Sequence, residues 1–270
     1  MDVKELQTWR TDRETRLKSE NNWLTVVGLD WLKEGENTVG AAFDADVRLP
    51  TGMPSKFATI TRKDRKATIV FNTTDGVKLD DKAVKAKKVY QLDSDAEEER
   101  STVKYKDIEF YVIDRKNGIG IRLKDQNSEA RKNFKGLKWF EPVADMKINA
   151  KWVAYKEAKT LMVPDILGNV NEEKALGYVE FKIGKTTMKL YPSGGPEKLF
   201  FVFKDPTNGK ETYKVSRFLY TDGPDNDGNV VMDFNRAYNP PCAFTKYATC
   251  PKAPKENILE VAIRAGEKKP

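Results

Sequence analysis

Leu6, Trp9, Arg13 and Leu17 recur at steps of three and four residues, with Glu and Arg between them. That period places them on one stripe of a helix, so an amphipathic helix from residue 3 to about residue 22 is expected, laid across a sheet. Trp23-Leu24-Thr25-Val26-Val27-Gly28-Leu29-Asp30-Trp31-Leu32 then makes a dense apolar stretch ending in the turn residues Lys33-Glu34-Gly35-Glu36-Asn37. Beyond it the grain changes to short runs of period two punctuated by Gly, Pro, Asn and Asp, an all-β rhythm. Strands are expected at 57–62, 67–71, 87–92, 102–106, 109–114 and 119–123, then at 147–153, 160–163, 178–183, 186–191, 199–203 and 211–219, with one short helix at 128–133. Asn117-Gly118 supplies the positive φ that a tight hairpin between 109–114 and 119–123 needs.

The run Asp93-Ser94-Asp95-Ala96-Glu97-Glu98-Glu99 carries no large apolar residue. A domain boundary fits there, and so does a long surface hairpin inside one domain. With the boundary, the chain reads as a helix over 1–22, a small β-sandwich-like region over 23–95 and a larger antiparallel β-rich domain over 96–270. The fold class is mainly β.

Composition narrows the chemistry. The 270 residues contain no His, which excludes Ser-His-Asp and Cys-His catalysis, His-ligated zinc and the iron site built from two His and a carboxylate. Acid–base work falls to Asp, Glu, Lys, Tyr or Cys. Lys and Arg number 48 against 41 Asp and Glu, yet the signs are interleaved, so a mixed solvated surface is expected and no nucleic-acid partner. No apolar run approaches the ~20 residues of a membrane span, and Met1-Asp2-Val3-Lys4 lacks a signal-peptide core. Either a cytoplasmic protein or one whose targeting segment has been removed is expected. The two cysteines, Cys242 and Cys250, admit three readings: buried thiols, a disulfide closing a short loop, or a nucleophile or metal ligand. Two sulfurs cannot complete a zinc site, and neither a metal nor a cofactor is expected.

Arg217-Phe218-Leu219, Asp233-Phe234-Asn235-Arg236-Ala237-Tyr238-Asn239-Pro240-Pro241-Cys242-Ala243-Phe244-Thr245 and Tyr247-Ala248-Thr249-Cys250-Pro251 closely resemble the bacterial family called domain of unknown function 1684. The similarity continues through Trp23-Leu24, Trp31-Leu32, Arg122-Leu123-Lys124-Asp125, Phe134-Lys135-Gly136 and Ala265-Gly266-Glu267, and departs at Lys246 and Lys252. The resemblance implies a choice of address, since some members look like envelope lipoproteins and others like cytoplasmic proteins. Residues 35–84 also resemble a forkhead-associated β-sandwich. Of the residues with which such domains read phosphothreonine only Ser55 matches, because Ala41, Lys56 and Ala58 replace the others, so the shape is expected without phosphopeptide binding.

The densest polar constellation is Asp233, Asn235, Arg236, Tyr238 and Asn239, placed between the apolar run Val230-Val231-Met232 and the stiff Pro240-Pro241. Arg122 and Asp125 end a strand, and Arg217 lies beside Tyr213 and Tyr220. Should Arg122, Arg217 and Arg236 converge, their guanidinium groups would grip a carboxylate or phosphate bidentately. The expected function is therefore binding of a small polar or anionic molecule in a cleft of the C-terminal region, lined by Arg122, Asp125, Arg217, Asn235, Arg236, Tyr238 and Asn239. Two alternatives stay open: a hydrolase or transferase using Asp233 or Cys242, and an envelope scaffold or interaction module. The acidic turn 222–228 fails as a calcium loop because Phe234 occupies the position of the bidentate Glu.

Overall fold

The computed structural model describes residues 2–270. Helix α1 (Val3–Lys18) opens the chain, and a 3-10 turn at Trp23–Thr25 leads into β1 (Val26–Trp31), β2 (Gly35–Gly40), β3 (Val47–Arg48), β4 (Ala58–Lys63), β5 (Lys66–Phe71), β6 (Val77–Leu79), β7 (Lys82–Ala83), β8 (Val89–Leu92), β9 (Val103–Tyr105), β10 (Ile108–Arg115) and β11 (Gly118–Asp125). After α2 (Glu129–Lys132) come β12 (Lys147–Pro164), β13 (Val170–Ile183), β14 (Thr186–Leu190), β15 (Lys198–Phe203), β16 (Arg217–Asp222) and β17 (Asn229–Asp233). The chain divides into two compact units, one of Lys18–Phe134 and one of Lys135–Pro270 joined by the N-terminal residues up to Leu17.

The Lys18–Phe134 unit is a β-sandwich. A six-stranded sheet in the order β1-β11-β10-β9-β6-β7 faces a five-stranded sheet in the order β3-β2-β4-β5-β8. Every pairing is antiparallel except β2 with β3. Alternation sends Ala58, Ile60, Ile69 and Phe71 from one sheet and Phe110, Val112, Ile119 and Ile121 from the other into a common core. The Asn117-Gly118 turn sets the central register: Gly118 has φ +138° and faces Arg115, which places Tyr111 opposite Arg122 and Glu109 opposite Lys124. A boundary at 94–100 does not appear, because pairing crosses it. Ser94 bridges Val112, and Asp95 accepts from the Asp114 amide and from Arg115. The sandwich therefore takes in β9, β10 and β11.

The second unit holds a four-stranded sheet in the order β14-β13-β12-β17 and the separate ribbon β15-β16. Its core gathers Val179, Phe181, Leu190, Leu199, Phe201, Phe203, Leu219, Met232, Phe234 and Ile263. The strands expected at 147–153 and 160–163 are one continuous β12, with a register shift between Ala154 and Lys159. The strand expected at 211–219 begins only at Arg217, because the Thr207 carbonyl accepts from the amides of Lys210, Glu211 and Thr212 and holds that segment in turns. Helix α1 ends at Lys18, and its polar bonds go to loops rather than across a sheet. Arg10 Nη2 donates to the Phe140 carbonyl at 3.0 Å, Glu14 accepts from the Leu137 amide, and Trp9 packs edge-on against Trp139.

Candidate functional site

Most of the polar residues of the C-terminal motif are framework. Asp233 Oδ1 accepts from the Asn235 amide and side chain, closing the 3-10 turn Phe234–Arg236. Asn235, fully buried, pairs with the Val143 backbone through both ends of its amide, at 2.8 and 2.9 Å. Arg236 pairs with Glu5 on α1 and with Asp233. Asn239 donates to Glu267 and to the Lys268 carbonyl, both at 2.8 Å. Arg217 is sealed in the core against Asp205 at 3.1 Å and the carbonyls of Ile263 and Ala265. Cys242 and Cys250 form a disulfide. These positions correct two expectations: Cys242 has no thiol with which to act as a nucleophile, and Arg217 and Asn235 present no group to a ligand. Asp233 has both oxygens engaged within its own turn.

Tyr238 is partly buried. Its ring carries the Arg13 guanidinium at 4.3 Å, and Arg13 Nε in turn donates to Glu267 Oε2 at 2.5 Å. Burial raises the Tyr238 phenol well above its ordinary value, Tyr220 adding to the effect and Arg13 opposing it. Burial likewise raises Glu267 above its ordinary 4.5, and this outweighs the opposing pull of Arg13. A carboxyl whose folded value is raised lends stability that is complete below its unfolded value and is lost as pH rises through the folded one. Relative to a Glu267→Gln variant, the wild-type chain should therefore lose urea stability as pH rises from below 4.5. Parallel stability–pH curves for the two proteins would remove this assignment.

Arg122 and Asp125 belong to the sandwich unit. Asp125 shapes the turn after β11 by accepting from the Asn127 amide at 2.7 Å. Arg122 is buried with its guanidinium 5.1 Å from the Trp23 ring centre. Trp23 belongs to a cavity of about 190 Å³ that lies outside the C-terminal motif and is lined by Asn21, Asn22, Trp23, Val26, Arg100, Tyr111 and Lys124. Strand alternation builds its floor. Since Ile108, Phe110, Ile121 and Leu123 face the core, Glu109, Tyr111, Arg122 and Lys124 occupy the opposite face of β10 and β11. These four are nonetheless buried.

Two cations share one carboxylate in this cavity: Lys124 Nζ, at 3.4 Å, and Arg100 Nη2, at 3.5 Å, both pair with Glu109 Oε1, while Arg122, on the same face, interacts with Asp95. Lys124 is oriented by donating to the Asn21 carbonyl at 3.1 Å, and the Arg100 guanidinium sits over Tyr111, 3.8 Å from the ring centre. Cations confined in a partly dry cleft attract an anion more strongly than the same charges in open solvent. A signal for this site was present in the sequence, because Glu109, Tyr111, Arg122 and Lys124 alternate with apolar neighbours. Read alone, that alternation looks like an ordinary wet sheet face. Among the described residues no group of three or more His, Cys, Asp or Glu is placed to hold a metal ion, and no helix is long and apolar enough to cross a membrane.

Residues 132–268 match the family described as Protein of unknown function (DUF1684). No curated protein matches the sequence. An uncharacterised protein of Haloarcula marismortui, solved by solution NMR, is 26% identical over 51% of this chain and 78% of its own, with a TM-score of 0.42. A forkhead-associated domain solved in work on phosphothreonine-dependent interactions is 22% identical over 37% of this chain and 96% of its own, with a TM-score of 0.24. The FhaA forkhead-associated domain, crystallised with the intracellular domain of Rv3910, is 20% identical over 36% of this chain and 97% of its own, again with a TM-score of 0.24.

Proposed function

For this chain, which belongs to the DUF1684 family of proteins of unknown function, we propose the binding of a small anionic molecule in the cavity of the sandwich unit. The observation that carries the reading is that Lys124 and Arg100 share the single carboxylate oxygen Glu109 Oε1 within that cavity. An entering carboxylate or phosphate supplies a second negative charge and accepts from Lys124, from Arg100 and from the side-chain amides at its rim. Trp23 and Tyr111 give it apolar walls. A volume of about 190 Å³ is below the roughly 300–1,000 Å³ of drug-sized sites, so the bound group is of phosphate or short-acid size. Arg122 acts from behind, fixing the Trp23 wall.

The test is calorimetric titration of the intact protein with inorganic phosphate, sulfate and short dicarboxylates, with Trp fluorescence as a second readout. Lys124→Gln should weaken binding about tenfold, the cost of one charge-assisted hydrogen bond, and raising the salt should weaken it further. Binding by none of these anions at millimolar concentration, or binding by Lys124→Gln and Arg100→Gln as tight as by the wild type, would refute the proposal.

A further inference from the structure

The ribbon β15-β16 has two unlike faces. Phe201, Phe203 and Leu219 enter the core, while Phe200, Phe218 and Tyr220 lie on the other side. There Phe200 stacks on Tyr220 with ring centres 4.5 Å apart and planes 27° apart, and Phe218 meets Phe200 and Tyr238 edge-on. Tyr220 and Tyr238 are nearly parallel, at 17°, but their centres stand 6.4 Å apart. Tyr220 is 48% exposed although it is a large aromatic side chain. Cations flank the column, with Arg13 over Tyr238 and Lys198 Nζ 5.6 Å from the Tyr220 centre. Arg16 also acts on the Tyr238 phenol through its charge. Asp222 stands opposite Lys198 in the ribbon, and Glu267 is buried beneath Arg13.

From this arrangement we infer a second binding site, for a planar ring bearing an anionic group, stacked on Tyr220 beside Tyr238. Two π-faces held parallel by Phe200, Phe218 and Arg13 bind flat rings without choosing among their edges, since any such ring offers a face. The preorganised rings lose little side-chain entropy when the ligand arrives. The flanking guanidinium and ammonium groups favour ligands whose ring carries a carboxylate or phosphate over neutral rings. Glu267 and the Asn239 carbonyl fix the Arg13 guanidinium through Nε and Nη2, and Nη1 has no protein acceptor among the described residues.

Adenosine 5′-monophosphate and benzoate serve as probes, with adenosine, lacking charge, and ribose 5-phosphate, lacking an aromatic ring, as the controls that separate the two contributions. Saturation-transfer NMR and calorimetry on the full chain should show both probes binding more tightly than either control. Tyr220→Ala should weaken them about tenfold or more, and Tyr220→Phe should keep them, as base–aromatic stacking requires. Tyr220 is exposed, so the substitution leaves folding intact, and Lys198→Glu gives an independent variant expected to weaken the probes and spare adenosine. Lys124→Gln should leave these affinities unchanged, which separates this site from the cavity of the sandwich unit. Equal binding of the probes to wild type and Tyr220→Ala, or no binding of either probe, overturns the inference.

Discussion

Replacing Arg217 with Met is expected to cost about 3–5 kcal/mol of unfolding free energy, the range for removing one partner of a buried ion pair. Both side chains of the Arg217–Asp205 pair are 0% exposed. Burial pulls the Arg217 guanidinium below its ordinary value while Asp205 pushes the other way, so each charge is tolerated only because the other is present. The cost does not stop at the lost attraction. Asp205 Oδ1 also accepts from the amides of Thr207 and Ile263, and the Arg217 nitrogens reach the Ile263 and Ala265 carbonyls. Met would leave Asp205 Oδ2 and two carbonyls without the Arg217 donor in a dry core, and each orphaned group costs about 1–3 kcal/mol. A double variant, Arg217→Met with Asp205→Asn, should regain part of the loss because the isolated charge is gone. Urea titration followed by fluorescence checks this. A cost below about 1 kcal/mol for Arg217→Met would mean that water reaches Asp205 and that the pair is not sealed.

That role for Arg217 was beyond what its neighbours in the sequence could disclose. Its partners lie 12, 46 and 48 residues away, and a guanidinium meant for a ligand looks the same in a sequence as one meant for two carbonyls and a carboxylate. Asn235 hides in the same manner, because its partner Val143 is 92 residues distant. The hairpin was legible for the opposite reason. Asn117-Gly118 fixes one turn, and counting outward from it pairs Tyr111 with Arg122 and Glu109 with Lys124 without any distant information. What the count could not supply was the cover: Trp23 from the turn before β1 and Arg100 from the loop before β9 convert a polar sheet face into a cleft. The boundary expected near residue 95 failed similarly, since an acidic run with no apolar residue is equally compatible with a loop inside one sandwich.

Removing the disulfide with Cys242→Ala and Cys250→Ala together should lower stability by about 2–3 kcal/mol, from the loop-closure entropy of a cross-link spanning a short loop. The sequence separation is 8, and chain entropy of that size predicts a contribution near the lower end of the usual range. Local bonds hold the same loop: the Cys242 amide donates to Cys250 Sγ at 3.2 Å, and the Tyr213 hydroxyl donates to the Cys242 carbonyl at 2.9 Å. The 3-10 turn Pro241–Ala243, with proline at its start, further narrows what the reduced loop can adopt. The loop should therefore persist in the variant, and the loss should appear as a lower urea midpoint with an unchanged slope. Thiol titration of the wild-type chain should find no reactive sulfhydryl until a reductant is added. Two titratable thiols in the unreduced folded protein would sink both the stability prediction and the reason for excluding Cys242 as a nucleophile.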